Sequence, residues 1–298
     1  MCTLTVACFL PGGVVAGRFG ARFGEYRRHR LRAATGPQLT LFAGAILAVT
    51  EGACQPPGFT ASGRMRWAVN SRVEGSSLMA KIAVIYYSAT GDVHALAHAV
   101  ADGAEQAGAK VRLRQVEEIA SEMVISQNQY WGRHRALVRD QPNATLDDLE
   151  WADGVAFGTP TRFGNVAAQL KQFIDQAGRL WQEGQLADKA ATAFTSSQTT
   201  HGGQESTILA LCNTFYHWGM VIVPLGYTVR EVFAAGGNPY GASYTSADRL
   251  PGRPTDDAIG TARAQGARLA RYAAVIAAAR AAGQLPPPGG TLPFPARV

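Results

Sequence analysis

From Lys81 onward the chain alternates between short apolar runs and amphipathic stretches. Lys81 to Tyr87 (KIAVIYY) is continuously apolar and rich in β-branched and aromatic residues. That is the pattern of a strand buried on both faces of a parallel sheet. Ala95, Leu96, Ala99, Val100 and Ala104 then recur at helical spacing. Lys110 to Val116 reads as a second strand, Trp151 to Phe157 as a third and Ala190 to Thr195 as a fourth; Val221 to Val223 starts a fifth. Helices are predicted from Val166 to Leu180, Thr207 to Trp218 and Ile259 to Ala282. Residues 117–150 read as polar and irregular, and residues 224–255 as a long Gly/Pro-rich excursion. Strands alternating with helices make βαβ units, so the pattern predicts an α/β domain around a five-stranded parallel sheet. Right-handed crossovers leave few strand orders. In such sheets ligands bind beyond the carboxyl ends of the strands, where the strand order reverses. The loops after the first, third and fourth strands are therefore where chemistry is expected.

Residues 1–78 show no sustained period and are broken at Pro11-Gly12-Gly13, Gly36-Pro37 and Pro56-Pro57-Gly58, which predicts irregular chain. Charge sets them apart as well. The 298 residues carry a net +6, and residues 1–78 hold nine arginines, no lysine and three acids, which is the whole +6. The remainder keeps 19 of the 28 bases and 19 of the 22 acids and is neutral. The pI of 9.3 thus belongs to the first quarter of the chain. Three readings of that quarter compete. It is disordered or outside the mature protein, with Met79-Ala80-Lys81 a natural beginning. It is a displaced secretory signal, from Arg27-Arg28-His29-Arg30-Leu31-Arg32 and the apolar run to Val49. Or it is a basic arm for nucleic acid. The first is preferred, because the targeting and arm patterns match poorly. The expected organisation is an N-terminal extension (1–78), one α/β domain (79–285) and a flexible tail (286–298) with five prolines. Apolar residues at 47% and charged residues at 17% exclude a mostly disordered chain, and four cysteines exclude a disulfide framework. No apolar run is long enough to span a bilayer.

The loop after the first strand, Ser88-Ala89-Thr90-Gly91-Asp92-Val93, opens a helix. Hydroxyls and backbone N–H groups at a helix N-terminus suit a phosphate, and they equally suit a capped turn. The loop is neither a Walker loop nor a Gly-x-Gly-x-x-Gly loop. After the third strand, Gly158-Thr159-Pro160-Thr161-Arg162-Phe163-Gly164-Asn165 sets a cation beside an aromatic ring. After the fourth comes Ser196-Ser197-Gln198-Thr199-Thr200-His201-Gly202-Gly203-Gln204-Glu205, too polar and glycine-rich for core.

These three loops resemble those of the flavodoxin-like NAD(P)H:quinone oxidoreductases, the WrbA family. Gly178–Trp181, His217–Val223 and Asn238-Pro239-Tyr240-Gly241 resemble it too, in the same order and spacing, over residues 79–282. The resemblance implies a doubly wound sheet of order 2-1-3-4-5 with helices on both faces and FMN bound at the strands' carboxyl ends. It places Ser88, Ala89, Thr90, Gly91, Asp92 and Val93 at the FMN phosphate. It places Thr161, Arg162 and Phe163 along the ring system, with Ser196, Ser197, Gln198, Thr199, Thr200 and His201 on the other side. Trp181 would wall the substrate pocket from across a subunit interface, and His217 would face the pocket. Two positions depart from the family. Thr90 stands where a tyrosine touches the nicotinamide nucleotide, and Trp218 stands where a second histidine often follows His217.

The resemblance further implies ping-pong turnover. NADH or NADPH delivers a hydride and leaves, then a quinone enters and leaves as hydroquinone. Arg162 would stabilise charge developing on the cofactor, and His217 would protonate the quinone oxygen. The expected assembly is a homotetramer or homodimer in the cytoplasm, without membrane insertion or nucleic-acid partner. No metal site is expected, and Cys212 is read as a small apolar residue. The alternative is a flavodoxin-like electron carrier without turnover of its own. Such carriers are usually acidic, whereas residues 79–298 are neutral.

Overall fold

The structure is a computed structural model describing residues 4–10, 13–19, 79–247, 249–287 and 289. The chain divides into two units at Ser71/Arg72. In the first, β1 (Leu4–Leu10) and β2 (Gly13–Phe19) pair antiparallel, with Leu10 opposite Gly13. This corrects the reading of irregular chain at those residues. Both runs are short, apolar and flank Pro11-Gly12, a hairpin signature that lacks longer periodicity. The three readings of the N-terminal quarter otherwise fall on residues 20–78, outside the described residues, as does the tail beyond residue 289.

The second unit runs β3 (Lys81–Tyr86), α1 (Asp92–Gln106), β4 (Lys110–Gln115), α2 (Glu122–Ser126), α3 (Gln129–Leu137), α4 (Leu146–Trp151), β5 (Gly154–Pro160), α5 (Ala168–Asp175), α6 (Gly178–Gln182), β6 (Ala190–Ser197), α7 (Gln204–His217), β7 (Val221–Ile222), α8 (Arg230–Ala234), β8 (Ser243–Thr245) and α9 (Asp256–Ala281). The sheet is parallel, in the order β4-β3-β5-β6-β7. Counted from β3, that is the expected 2-1-3-4-5. It has one strand more than expected, because β8 also pairs parallel with β6. β7 pairs with Ala190 and Ala191 and β8 with Thr195 to Ser197, so the two short strands share one edge of β6. The excursion between them is tied down by Gln265 of α9. Its Oε1 accepts the Ala242 N–H at 2.7 Å, and its Nε2 donates to the Ala193 carbonyl at 2.8 Å.

Successive residues of β3, and Tyr87 just after it, serve opposite faces. Ile82, Val84 and Tyr86 join α1 and α9 in one core, and Ala83, Ile85 and Tyr87 join α5, α6 and α7 in the other. That two-sided burial is why the run carries no polar position. Residues 117–150, read as irregular, hold α2, α3 and α4. They are short, and caps rather than an apolar stripe define them. Asn128 Oδ1 accepts the Tyr130 N–H at 3.0 Å, and Thr145 and Asp148 form a capping box. Asp148 is buried and also accepts from Arg112 and Arg114 of β4. Trp151 ends α4 rather than starting the third strand, and the predicted helix 166–180 is broken into α5 and α6.

Candidate active site

The loops leaving β3, β5 and β6 meet at the carboxyl end of the sheet, beside the point where strand order reverses between β3 and β5. Thr161 joins two of them. Its N–H donates to the Ser196 carbonyl at 2.8 Å. Its hydroxyl donates to the Gly202 carbonyl and accepts the Gly164 N–H, both at 3.2 Å, and lies 2.8 Å from Thr207 Oγ1. Gly203, at φ 89°, caps α7, and a Cβ there would stand 2.8 Å from the Gly164 Cα. The two backbones are therefore in contact, which only glycine permits.

Gly91, at φ 104°, caps α1, and its N–H donates to Ser88 Oγ at 3.1 Å. The first N–H groups of α1 have no intrahelical acceptor. Together with the half-buried Ser88 and Thr90 hydroxyls they form a donor set suited to a phosphate. Asp92 and Val93 point elsewhere. Val93 is core, and the buried Asp92 carboxylate accepts the Gly252 N–H at 2.7 Å. These two residues, like the buried Ala89, offer the loop their backbone only.

On the other side of the mouth Arg162 and Phe163 are exposed, Phe163 completely, at φ 54°. A non-glycine residue in the left-handed region with its ring in solvent is held there by the turn. Asn165 Nδ2 donates to the Phe163 carbonyl, and Arg162 and Asn165 exchange backbone bonds. Gln198, Thr199, Thr200 and His201 are exposed opposite, whereas Ser196 and Ser197 are buried. Ser197 Oγ donates to the Thr199 carbonyl and accepts from Gln204 Nε2. Phosphate donors, a cation and an aromatic face converge on one mouth, and this set fits FMN.

Trp181 and His217 are not at that mouth. His217 is the last residue of α7, which starts at the third loop and runs about 20 Å back along the sheet. Trp181 Nε1 donates to the His217 carbonyl there. Trp218, at the departure from the family pattern, is buried edge-on against Phe157. Cys212 is half-buried with its thiol pKa pushed up by burial, which disfavours the thiolate.

Sequence reasoning missed the ring of groups behind the first loop. Glu118 accepts from Tyr87 Oη, Trp131 Nε1, Gln169 Nε2 and the Ala120 N–H, all at 2.8 to 2.9 Å. Burial acts to raise its pKa, but these donors outweigh it and hold the carboxyl below the usual value. Beside it a cleft of about 440 Å³ opens from Ser88 past Trp131 to His134 and Arg139. Tyr86 Oη lies 2.7 Å from His94 Nδ1, and the His94 ring meets His98 and His134 edge-on. The i, i+4 pair His94/His98 was readable on the predicted helix. His134 and Glu118 were not, because they lie in the stretch read as irregular.

The family model of the NADPH-dependent FMN reductases matches residues 80–234. A protein of Sinorhizobium fredii (strain NBRC 101917 / NGR234) named NAD(P)H dehydrogenase (quinone) is 45% identical over 203 residues, covering 67% of this chain and 100% of that protein. One of the same name from Deinococcus radiodurans is 46% identical over 166 residues, covering 56% and 83%. The crystal structure of the flavodoxin, WrbA-like protein from Agrobacterium tumefaciens aligns over 65% of this chain and 97% of its own, at 26% identity and a TM-score of 0.47. On the extent of the family match and the identity to relatives covered end to end, the chain belongs to the NADPH-dependent FMN reductase family.

Proposed function

We propose that this protein is an FMN-dependent NAD(P)H:quinone oxidoreductase that reduces quinones to hydroquinones by two electrons. One observation carries the reading: the loops after β5 and β6, locked together by Thr161, set Arg162 and Phe163 at the same end of the sheet as the phosphate donors of the loop after β3. Bound there, FMN supplies the hydride-accepting and hydride-donating chemistry. Ser88, Thr90 and the first N–H groups of α1 hold its phosphate. Phe163 covers the planar ring, and the Arg162 guanidinium offsets negative charge at its edge. Gln198 to His201 close the opposite side by backbone and side-chain donors. NAD(P)H and quinone occupy the mouth in turn, which makes turnover ping-pong. His217 and Trp181 lie about a helix length from their own chain's mouth, so they serve a second copy's pocket in a homotetramer or homodimer. Among the described residues no helix is long and apolar enough to cross a membrane, and we place the enzyme in the cytoplasm.

The full chain, purified and titrated with FMN, should develop bound-flavin absorbance and then oxidise NADH or NADPH with benzoquinone as acceptor. Absence of FMN binding would overturn the assignment. FMN binding with turnover only when a separate reductase is added would make the protein an electron carrier instead.

A further inference from the structure

The phosphate loop brings no cation of its own. The charged side chain of Ser88–Val93 is Asp92, an acid turned to Gly252. Its burial holds its pKa above the usual aspartate value, against the opposing effect of the Gly252 N–H. A phosphate dianion on the first turn of α1 would meet partial positive charges from the loop but no full one.

Beside the loop stand two histidines, each able to gain a full charge by taking up a proton. His94 sits in that first turn. His134 comes from α3 and is 7% exposed, and a Cβ built on Gly91 would stand 3.5 Å from its Nδ1. The two ring centroids lie 5.1 Å apart, and His98 lies 4.4 Å from His94. His134 forms no hydrogen bond through its ring to any described residue. Burial, with the neighbouring imidazoles His98 and His134 adding to it, holds His94 at about 4, and burial holds His134 at about 4. Both rings are therefore neutral near pH 7. Tyr86 faces them from β3, with Gln141 beside its hydroxyl. Asp102 of α1 and Arg263 of α9 line a cleft with His94 and His98. Glu118, Arg135 and Arg139 share the other cleft with His134. Tyr244 and Arg249 stand on the Asp92 side. The rings meet edge to face, and among the described residues no group of three His, Cys, Asp or Glu could hold a metal ion.

We propose that His134 and His94 belong to the phosphate subsite, one of them taking up a proton from solvent when FMN binds and supplying the counter-charge the loop lacks. This rests on the FMN reading above. An anion within about 4–6 Å favours the charged imidazole and lifts its pKa toward neutrality. Binding is then linked to one proton, so affinity for FMN rises as pH falls from 8 to 6.5, by at most about tenfold per pH unit. Riboflavin has the same ring and no phosphate, so its affinity stays flat.

Calorimetric titration of the full-length apoprotein near pH 7, in buffers of different ionisation enthalpy, measures the protons taken up. The expected result is net uptake with FMN and none with riboflavin. In the double variant His94→Gln/His134→Gln the uptake disappears and FMN affinity falls, while riboflavin affinity is kept. FMN binding by the wild-type chain without uptake, or uptake unchanged in a folded double variant, overturns the proposal; the latter would assign the proton to Asp92. Failure of the wild-type chain to bind FMN in any form would strike the functional reading instead.

Discussion

The indole Nε1 of Trp181 donates to the main-chain carbonyl of His217 at 2.8 Å, tying α6 to the end of α7. The contact holds the Trp181 indole at the far end of α7, about 20 Å along that helix from its start, where Gly203 abuts Gly164 of the Arg162–Asn165 turn. A pocket that needs both ends must be built from two copies. Arg162→Ala and Trp181→Ala should each depress quinone reduction when expressed alone. Co-expressed, the two variants should recover about a quarter of wild-type turnover, because a quarter of the mouths pair two intact halves. Recovery no greater than the average of the parents would show that each chain works alone.

Phe163 combines full exposure with a left-handed backbone, a costly arrangement that its own chain does not repay with packing. Phe163→Gly should raise the stability of the FMN-free protein by about 1 kcal/mol. The same change should weaken FMN binding. Denaturation midpoints and flavin titrations separate the two effects, and a loss of stability would contradict this account.

Helices α1 and α9 touch backbone to backbone. A Cβ on Gly103 would come within 1.9 Å of the Arg263 carbonyl oxygen, and one on Gly266 within 1.9 Å of the Val100 carbonyl oxygen. Nothing flexible can give way, so Gly103→Ala and Gly266→Ala should each cost about 3 kcal/mol in urea unfolding. Since α1 begins at the loop proposed to hold the phosphate, FMN affinity should fall with them. A cost below half a kcal/mol would mean that the helices slide apart freely.

Acid should destabilise the protein in two windows. Between pH 6.5 and about 4 the unfolded chain protonates His94 and His134 while the folded one does not. The unfolded state then binds more protons, and stability falls with pH. Below the usual carboxylate value, Glu118 stays charged in the fold and protonates in the unfolded chain, so its contribution is lost as pH falls through its lowered pKa. Asp92, shifted upward, acts in the opposite sense. In the His94→Gln/His134→Gln variant the decline between pH 6.5 and 4 should flatten while the lower window persists. Denaturant midpoints across pH measure both, and equal slopes in variant and wild type would refute the assignment.

Much of this architecture is legible in local pattern. The run Ile82 to Tyr87 has no polar position because both faces are covered, so the strand and its central place follow from the sequence. The capped α2, α3 and α4 escape such reading, because each is too short to show an apolar stripe. β8 escapes because three residues in a Gly/Pro-rich excursion become a strand only beside β6.

The site divides in the same way. Short-range chemistry in Ser88 to Val93, Thr161 to Phe163 and Ser196 to His201 marks the mouth, since each loop follows directly on a recognisable strand. Which atoms face it was settled by tertiary contacts. Asp92 turns to Gly252, 160 positions away; Thr161 is spent on joining loops; and Glu118 and His134 arrive from a distant segment. Periodicity reports which side of an element is buried, and so it determined the sheet, its main helices and the end of the strands at which chemistry is expected. The direction of a side chain within a loop depends on partners far along the chain, and that is why only the folded structure could separate the groups that face a ligand from those that hold the loops in place.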